Sequence, residues 1–277
     1  MKRAYVDIRE KPSYRADAFV GGLKACGFHV LHRQLPDGPP KTGDVLVIWN
    51  RYSCAGQTAD VWEKQGGTVL VAENGYCGRD GDGHQLYAIS VHGHNGSGRW
   101  PGAGVGAPAD YGARWRGLGL ELKPWRAAGE HVLVCPNRSF GTKVMAMPQG
   151  WDQAAIKALR KYTKRPIRLR PHPNGNAENP PLLADLERCW AVVVWASSAG
   201  VKALLAGVPV IALAPHWICK AAASADVSTI ESPAMPAREP VFERLAWAQW
   251  TVEEIARGEP FRHLLPAARE AQVAAAV

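Results

Sequence analysis

Residues 191–211 run Ala-Val-Val-Val-Trp-Ala-Ser-Ser-Ala-Gly-Val-Lys-Ala-Leu-Leu-Ala-Gly-Val-Pro-Val-Ile, and few folds accept such a run. A short, uniformly apolar, β-branched stretch breaks at small hydroxyl residues. It resumes as a helix-forming stretch, and Gly207 stops that stretch before a second β-branched run. The pattern predicts strand, turn, helix, strand. Strands that are apolar throughout and joined by helices belong to parallel sheets covered on both faces.

The same alternation is present in the first third of the chain. Arg3 to Ile8 reads as a strand, Tyr14 to Cys26 as a helix closed by Gly27, Phe28 to Leu31 as a strand, and Val45 to Trp49 as a buried strand. A helix from Gln57 to Gln65 ends at Gly66-Gly67, before the strand Thr68 to Val71. From Glu73 to Gly119 the pattern loosens into a Gly- and His-rich stretch in which only Leu86 to Val91 is strand-like. Loops of that length in a compact domain are usually functional.

Alternation resumes with the strand His131 to Cys135, a helix from Trp151 to Tyr162, a strand from Pro166 to Arg170 and a short helix near Leu182 to Arg188. The strand Ala191 to Ala196, a helix to Ala206 and the strand Val208 to Leu213 follow. Thr251-Val-Glu-Glu254 is a capping box, with Gly258 as the stop. These elements define an α/β chain of two Rossmann-like domains, residues 1–126 and 127–250, with C-terminal helices over 251–277 expected to pack across both. A length of 277 residues suits two compact domains, each with its own core.

No stretch approaches the roughly 18 apolar residues of a membrane span, and the N-terminal Met-Lys-Arg-Ala-Tyr-Val-Asp-Ile-Arg-Glu-Lys has charges where a secretory signal needs apolar residues. The expectation is a protein without a membrane span in the cytoplasm, the host cytoplasm if phage-encoded. Six scattered cysteines with no CxxC pair read as reduced thiols. The formal charge of +8, from 33 Lys and Arg against 25 Asp and Glu, admits an anionic partner.

Two stretches point at phosphate. Ser197, Ser198 and Gly200 open the helix after the apolar strand, so hydroxyls, free backbone N–H groups and the helix dipole converge on one spot. Ordinary N-capping explains the serines equally well. The second stretch is Arg168-Leu-Arg-Pro-His172-Pro173, at the carboxyl end of a predicted strand, where open α/β sheets bind ligands. Two prolines fix the backbone around His172 beside Arg170.

The Arg-Pro-His-Pro segment, the strand with Ser-Ser-x-Gly and the Ala-Leu-Leu-Ala-Gly-Val-Pro-Val-Ile run together resemble the nucleotide-sugar domain of GT-B glycosyltransferases, in particular the capsular-polysaccharide, Kdo-transferase-like group. Glu73-Asn-Gly-Tyr76 is similar to the acidic E-x-G-aromatic motif of that group. The resemblance covers about residues 69 to 76 and 131 to 213. It implies two domains facing a cleft, with a nucleotide-sugar donor as co-substrate and no other cofactor; a UDP-sugar is expected, UDP-glucose where the acceptor is DNA. It places the donor against Arg170, His172, Ser197, Ser198 and Gly200. The turn Pro136-Asn-Arg-Ser-Phe-Gly-Thr-Lys143 would lie near the donor phosphates, with Arg138 or Lys143 as countercharge. That turn lacks P-loop spacing, which argues against an NTPase.

Glycosyl transfer needs a base near the acceptor hydroxyl and a sink for the departing phosphate. Glu73 is the first candidate base, read as the end of a buried strand, with a cap or salt-bridge role as the alternative. His94 and Asn95 in the His-Gly-His-Asn-Gly loop come next, then Asp7 at the end of the first strand. His92-x-His94 has no third ligand at a telling spacing, so no metal site is assigned.

Seven cations occupy residues 157–170 with no acid among them, and Trp115 and Trp125 lie among Arg114, Arg116, Lys123 and Arg126. Such a mixture suits phosphate tracking with base stacking, and a solvated helix face and core tryptophans suit it as well. Tyr76, His92, Arg114, Trp115 and Arg116 are therefore the expected acceptor-binding residues. The preferred reading is transfer to a hydroxymethylated pyrimidine in DNA by a phage enzyme, monomeric or dimeric. A capsule or lipopolysaccharide glycosyltransferase and a non-catalytic nucleic-acid binding protein on the same scaffold are the competing readings.

Overall fold

The structure is a computed structural model that describes residues 1–100, 110–139, 145–173 and 180–266. The chain divides into two compact units: residues 1–118 with 244–277, and residues 119–243.

The first unit holds β1 (Arg3–Asp7), α1 (Ser13–Ala25), β2 (His29–His32), β3 (Val45–Trp49), α2 (Ser53–Lys64), β4 (Thr68–Arg79), β5 (Gln85–Val91) and α3 (Ala113–Gly117). Its sheet has the order β10-β5-β4-β3-β1-β2, where β10 is Gln249–Trp250 near the C-terminus. β1 to β4 run parallel, and β5 and β10 are antiparallel additions. The alternation of each strand splits the core. Ala4, Val6, Val45, Val47, Leu70 and Ala72 face Phe19 and Leu23 of α1. Tyr5, Leu46, Ile48, Val69 and Val71 face Ala55, Ala59 and Trp62 of α2. The chain returns through α8 (Val252–Ala256), whose Ile255 joins Phe261 and Leu264 on the α1 side.

The second unit holds β6 (His131–Cys135), α4 (Trp151–Leu159), β7 (Ile167–Leu169), α5 (Leu182–Leu186), β8 (Cys189–Val194), α6 (Ser198–Leu205) and β9 (Val210–Ala212). Its sheet, β7-β6-β8-β9, is wholly parallel. β8 is buried at every position, as its unbroken apolar run requires. The division between units falls within the last helix before β10, α7 (Glu239–Ala246).

One expectation is corrected. Glu73 does not end its strand. β4 runs on to Arg79 and pairs with β5 as a hairpin, although Asn74-Gly75 reads as a break. The parallel partner is what stops there: the β3 pairing ends at Trp49 opposite Ala72, so Glu73 is the first residue of β4 beyond β3. The pairing is irregular between Asn74 and Arg79, and a distant side chain mends it. Gln249, fully buried, accepts from the Tyr76 and Cys77 N–H groups at 2.9 and 3.3 Å and donates to the Cys77 carbonyl at 2.7 Å. Gly75 is required by a close approach, since a Cβ there would lie 2.6 Å from the Leu86 carbonyl oxygen.

Candidate active site

In the first unit the geometry centres on Glu73. Its Oε1 accepts from the Tyr76 hydroxyl at 2.5 Å and from the Asn95 backbone N–H at 2.9 Å. Glu73 shares the α2 face of β4 with Val69 and Val71, and it is half-buried. Its Oε2 has no hydrogen-bond donor among the described residues, so one oxygen is held and the other is available.

Asn95 reaches Glu73 because the segment after β5 folds back beside α2. His92 and Asn95 both adopt left-handed backbone conformations, with φ of 64° and 53°. Such conformations are costly away from glycine and persist where the surroundings fix them. Here the surroundings are charged. The Arg51 Nε donates to the His92 carbonyl at 2.7 Å, and His92 Nδ1 lies 2.7 Å from Glu63 Oε1. The Arg51 guanidinium also binds Asp60, at 2.6 Å, and Glu63. With 4% of its side chain exposed, Arg51 ties the segment to α2 from within the protein.

The expected residues of this unit separate. Glu73, Tyr76 and Asn95 come together, and His94 adjoins Asn95 in the same segment. Tyr76 is buried, 4% exposed, so it orients Glu73 rather than facing an acceptor. Asp7 lies two strands from Glu73, about 10 Å in sheet spacing, and is paired with Arg33 at 3.1 Å. His92 is the hinge of the folded-back segment.

The three remaining acceptor candidates lie on α3. Arg114 donates to the Ala246 and Gln249 carbonyls, both at 2.7 Å, and to Glu254 at 2.9 Å, with its guanidinium 4.2 Å over the Trp250 ring. Trp115 is buried, and Arg116 is exposed in an ion pair with Asp110. This segment therefore packs α3 against the returning C-terminal elements, which leaves little of it to track phosphates.

In the second unit, β7, β6 and β8 are adjacent and parallel, so Arg170 and His172, Arg138, and Ser197 follow their carboxyl ends at one edge of the sheet. Ser197 caps α6, accepting from the Ala199 N–H at 3.3 Å, and Ser198 is exposed. Gly200 is buried where a Cβ would meet the Trp217 ring at 2.7 Å. Arg138 is exposed, and His172 is half-buried. Arg170 is already engaged, with Asp185 of α5 and, at 2.8 Å, with the Pro180 carbonyl. Lys143 lies outside the described residues.

Several contributors escaped the sequence reading. Asn137 accepts the Ala196 N–H at 3.1 Å, linking the turn after β6 to the one after β8. Its position in Pro-Asn-Arg-Ser was the available signal. Arg51, Glu63 and Gln249 have no spacing that marks them. Among the described residues, no group of three His, Cys, Asp or Glu side chains is placed to hold a metal. None of the helices described is long and apolar enough to cross a membrane.

The chain, with its two Rossmann-like sheets, has a fold similar to that of solved glycosyltransferase structures. The beta Kdo 2,7 transferase of Thermosulfurimonas dismutans KpsC is similar at a TM-score of 0.57 and 13% identity, covering 94% of this chain and 99% of that one. The beta Kdo 2,4 transferase of the same KpsC is similar at 0.56 and 13%, covering 88% and 89%. No family model and no curated protein sequence matches the chain.

Proposed function

We propose that the chain is a GT-B sugar transferase, in which the first unit takes the acceptor and the second takes a nucleotide-sugar donor. The observation that carries this reading is the Glu73 carboxylate, with one oxygen fixed by Tyr76 and Asn95 and the other unclaimed. Glu73 accepts the proton of the acceptor hydroxyl as the hydroxyl oxygen bonds to the anomeric carbon. The bond from sugar to phosphate breaks, and its electron pair leaves on the phosphate oxygen. The capped α6 N-terminus, His172 and Arg138 stabilise the departing phosphate, as helix N–H groups and nearby cations do for anions.

The acceptor favoured is a glycan hydroxyl of the capsule or lipopolysaccharide kind, because the two similar structures are named as Kdo transferases. The hydroxymethylated pyrimidine of DNA rests on the small size, the basic charge and the Trp/Arg stretch, and in that stretch the Arg114 and Trp115 side chains are taken up by packing.

A thermal-shift panel of nucleotide sugars, including UDP-glucose and nucleotide-activated Kdo, tests the donor. A donor present at a hundred times its Kd adds about 2.7 kcal/mol, roughly 5–10 °C for a chain of this size. A flat panel would sink the reading. With the donor identified, Glu73→Gln should keep the shift and lose transfer by about 10²–10⁴-fold.

A further inference from the structure

The cationic run that the candidate site leaves unused forms a surface of its own. Lys157, Arg160, Lys161 and Lys164 follow the spacing i, i+3, i+4, i+7 through the end of α4 and the turns beyond it, and all four are exposed. Lys157 lies across α4 from the buried Trp151, Ala155 and Leu159, and Arg160, Lys161 and Lys164 follow its C-terminal end in the cap and turns. Arg168, on the edge strand β7, is exposed as well. None of these five has an ion-pair partner among the described residues. The other two cations of the run are neutralised, Arg165 by Glu231 at 3.2 Å and Arg170 by Asp185. Arg160, Lys161, Lys164 and Arg165 also line one open depression with Tyr162, Thr163 and Glu231. The run from Arg160 to Arg165 precedes β7, so it lies at the opposite end of the sheet from Arg170, His172 and Ser197.

Unpaired cations grouped on one face repel one another and are relieved by an anionic partner. Two exposed apolar side chains lie among them, Tyr162 at 47% and Leu169 at 39%. Nucleic-acid surfaces of this charge present several aromatic platforms for successive bases, whereas this one presents a single tyrosine. Lysines with long aliphatic stems beside one exposed tyrosine match the chemistry of an anionic bilayer surface, where basic side chains meet phosphates and an aromatic ring settles at headgroup level.

We infer that the face formed by Lys157, Arg160, Lys161, Lys164 and Tyr162 docks the protein on anionic membranes. This docking is separate from the proposed transfer chemistry and does not depend on it.

Co-sedimentation of the full chain with phosphatidylcholine vesicles containing about 30% phosphatidylglycerol tests it. Binding should be absent with phosphatidylcholine alone and should fall steeply between 50 and 500 mM salt, as a surface attraction screened over about 10 Å requires. The variant Lys157→Ala/Lys161→Ala/Lys164→Ala should bind on the order of a hundredfold more weakly, about fivefold for each cation. All three positions are exposed, so an unchanged melting curve shows that the fold is intact. Tyr162→Ser should weaken binding a few-fold without altering the salt slope. Wild-type protein that ignores anionic vesicles at low salt overturns the inference, as does a triple variant that binds them equally. Tighter binding to a short DNA duplex than to vesicles at equal phosphate concentration overturns it in favour of nucleic acid.

Discussion

One carboxylate on α2, that of Glu63, lies 2.7 Å from Nδ1 of His92 and also receives the Arg51 guanidinium. A helix that carries no reacting group thereby fixes the segment that presents the Asn95 N–H to Glu73.

Loss of that clamp should loosen the segment before it unfolds the protein. In Arg51→Ala the His92 carbonyl loses its donor and the partly exposed Asp60 and Glu63 lose their cation, so stability should fall by about 1–3 kcal/mol. Glu63→Ala should cost about 1–3 kcal/mol. In both, amide exchange of residues 92–97 should accelerate well beyond the rest of the sheet. Unchanged exchange there would show that the ion pairs do not hold the segment.

Gln249 should be among the most sensitive polar residues of the protein. Gln249→Leu keeps the volume but strands two N–H groups and one carbonyl in a buried bulge, at about 1–3 kcal/mol for each unsatisfied group. Urea unfolding should show a loss of several kcal/mol. A loss below about 1 kcal/mol would mean that the bulge finds other partners.

Acid should separate Arg114 variants from the parent. Burial pushes the Glu254 carboxyl up, but the Arg114 hydrogen bond and charge, with the Thr251 N–H, outweigh it and hold the group below its ordinary value of 4.5. A folded value below the unfolded one contributes stability above about pH 4.5, and that stability is lost as pH falls through the lowered folded value. Arg114→Met should therefore be less stable at pH 7 by about 3 kcal/mol, and the gap should narrow towards pH 3. Parallel stability curves across that range would refute the assignment.

Thiol reactivity should single out Cys54. It is exposed, while Cys77, Cys135, Cys189 and Cys219 are buried. Burial pushes the Cys135 and Cys189 thiols up to about 12, so neither forms the reactive thiolate at neutral pH. Cys26 is half-buried, and its thiol is likewise raised by burial. An aromatic disulfide reagent at pH 8 should find one fast equivalent, which Cys54→Ser removes. Two or more fast equivalents would contradict the buried placements.

The alternation of apolar runs with helical stretches was legible because burial on both faces leaves a mark at every position of a strand such as β8. Glu73 was legible as a candidate because an acid beside Asn-Gly at the end of an apolar run is unusual. The continuation of β4 through Asn74 and Gly75 was hidden. Those residues favour turns, and their pairing depends on Gln249, more than 170 residues away. The Arg51, Glu63 and His92 cluster was hidden for the same reason, since contacts between non-neighbours leave no local pattern. Arg114 and Trp115 misled because a basic-aromatic stretch reads alike whether it faces water or stacks on Trp250.

The return of residues 244–266 to the first unit has a temporal consequence. Residues 119–243 are continuous in the chain, so that unit can finish folding before the residues that follow it join the first unit. The first unit must wait. Until Gln249 arrives, the bulge beside Glu73 has unpaired backbone, and until Ile255 and Phe261 arrive, the α1 side of its core is open. The candidate base is thus synthesised before the second unit and fixed in place only after it.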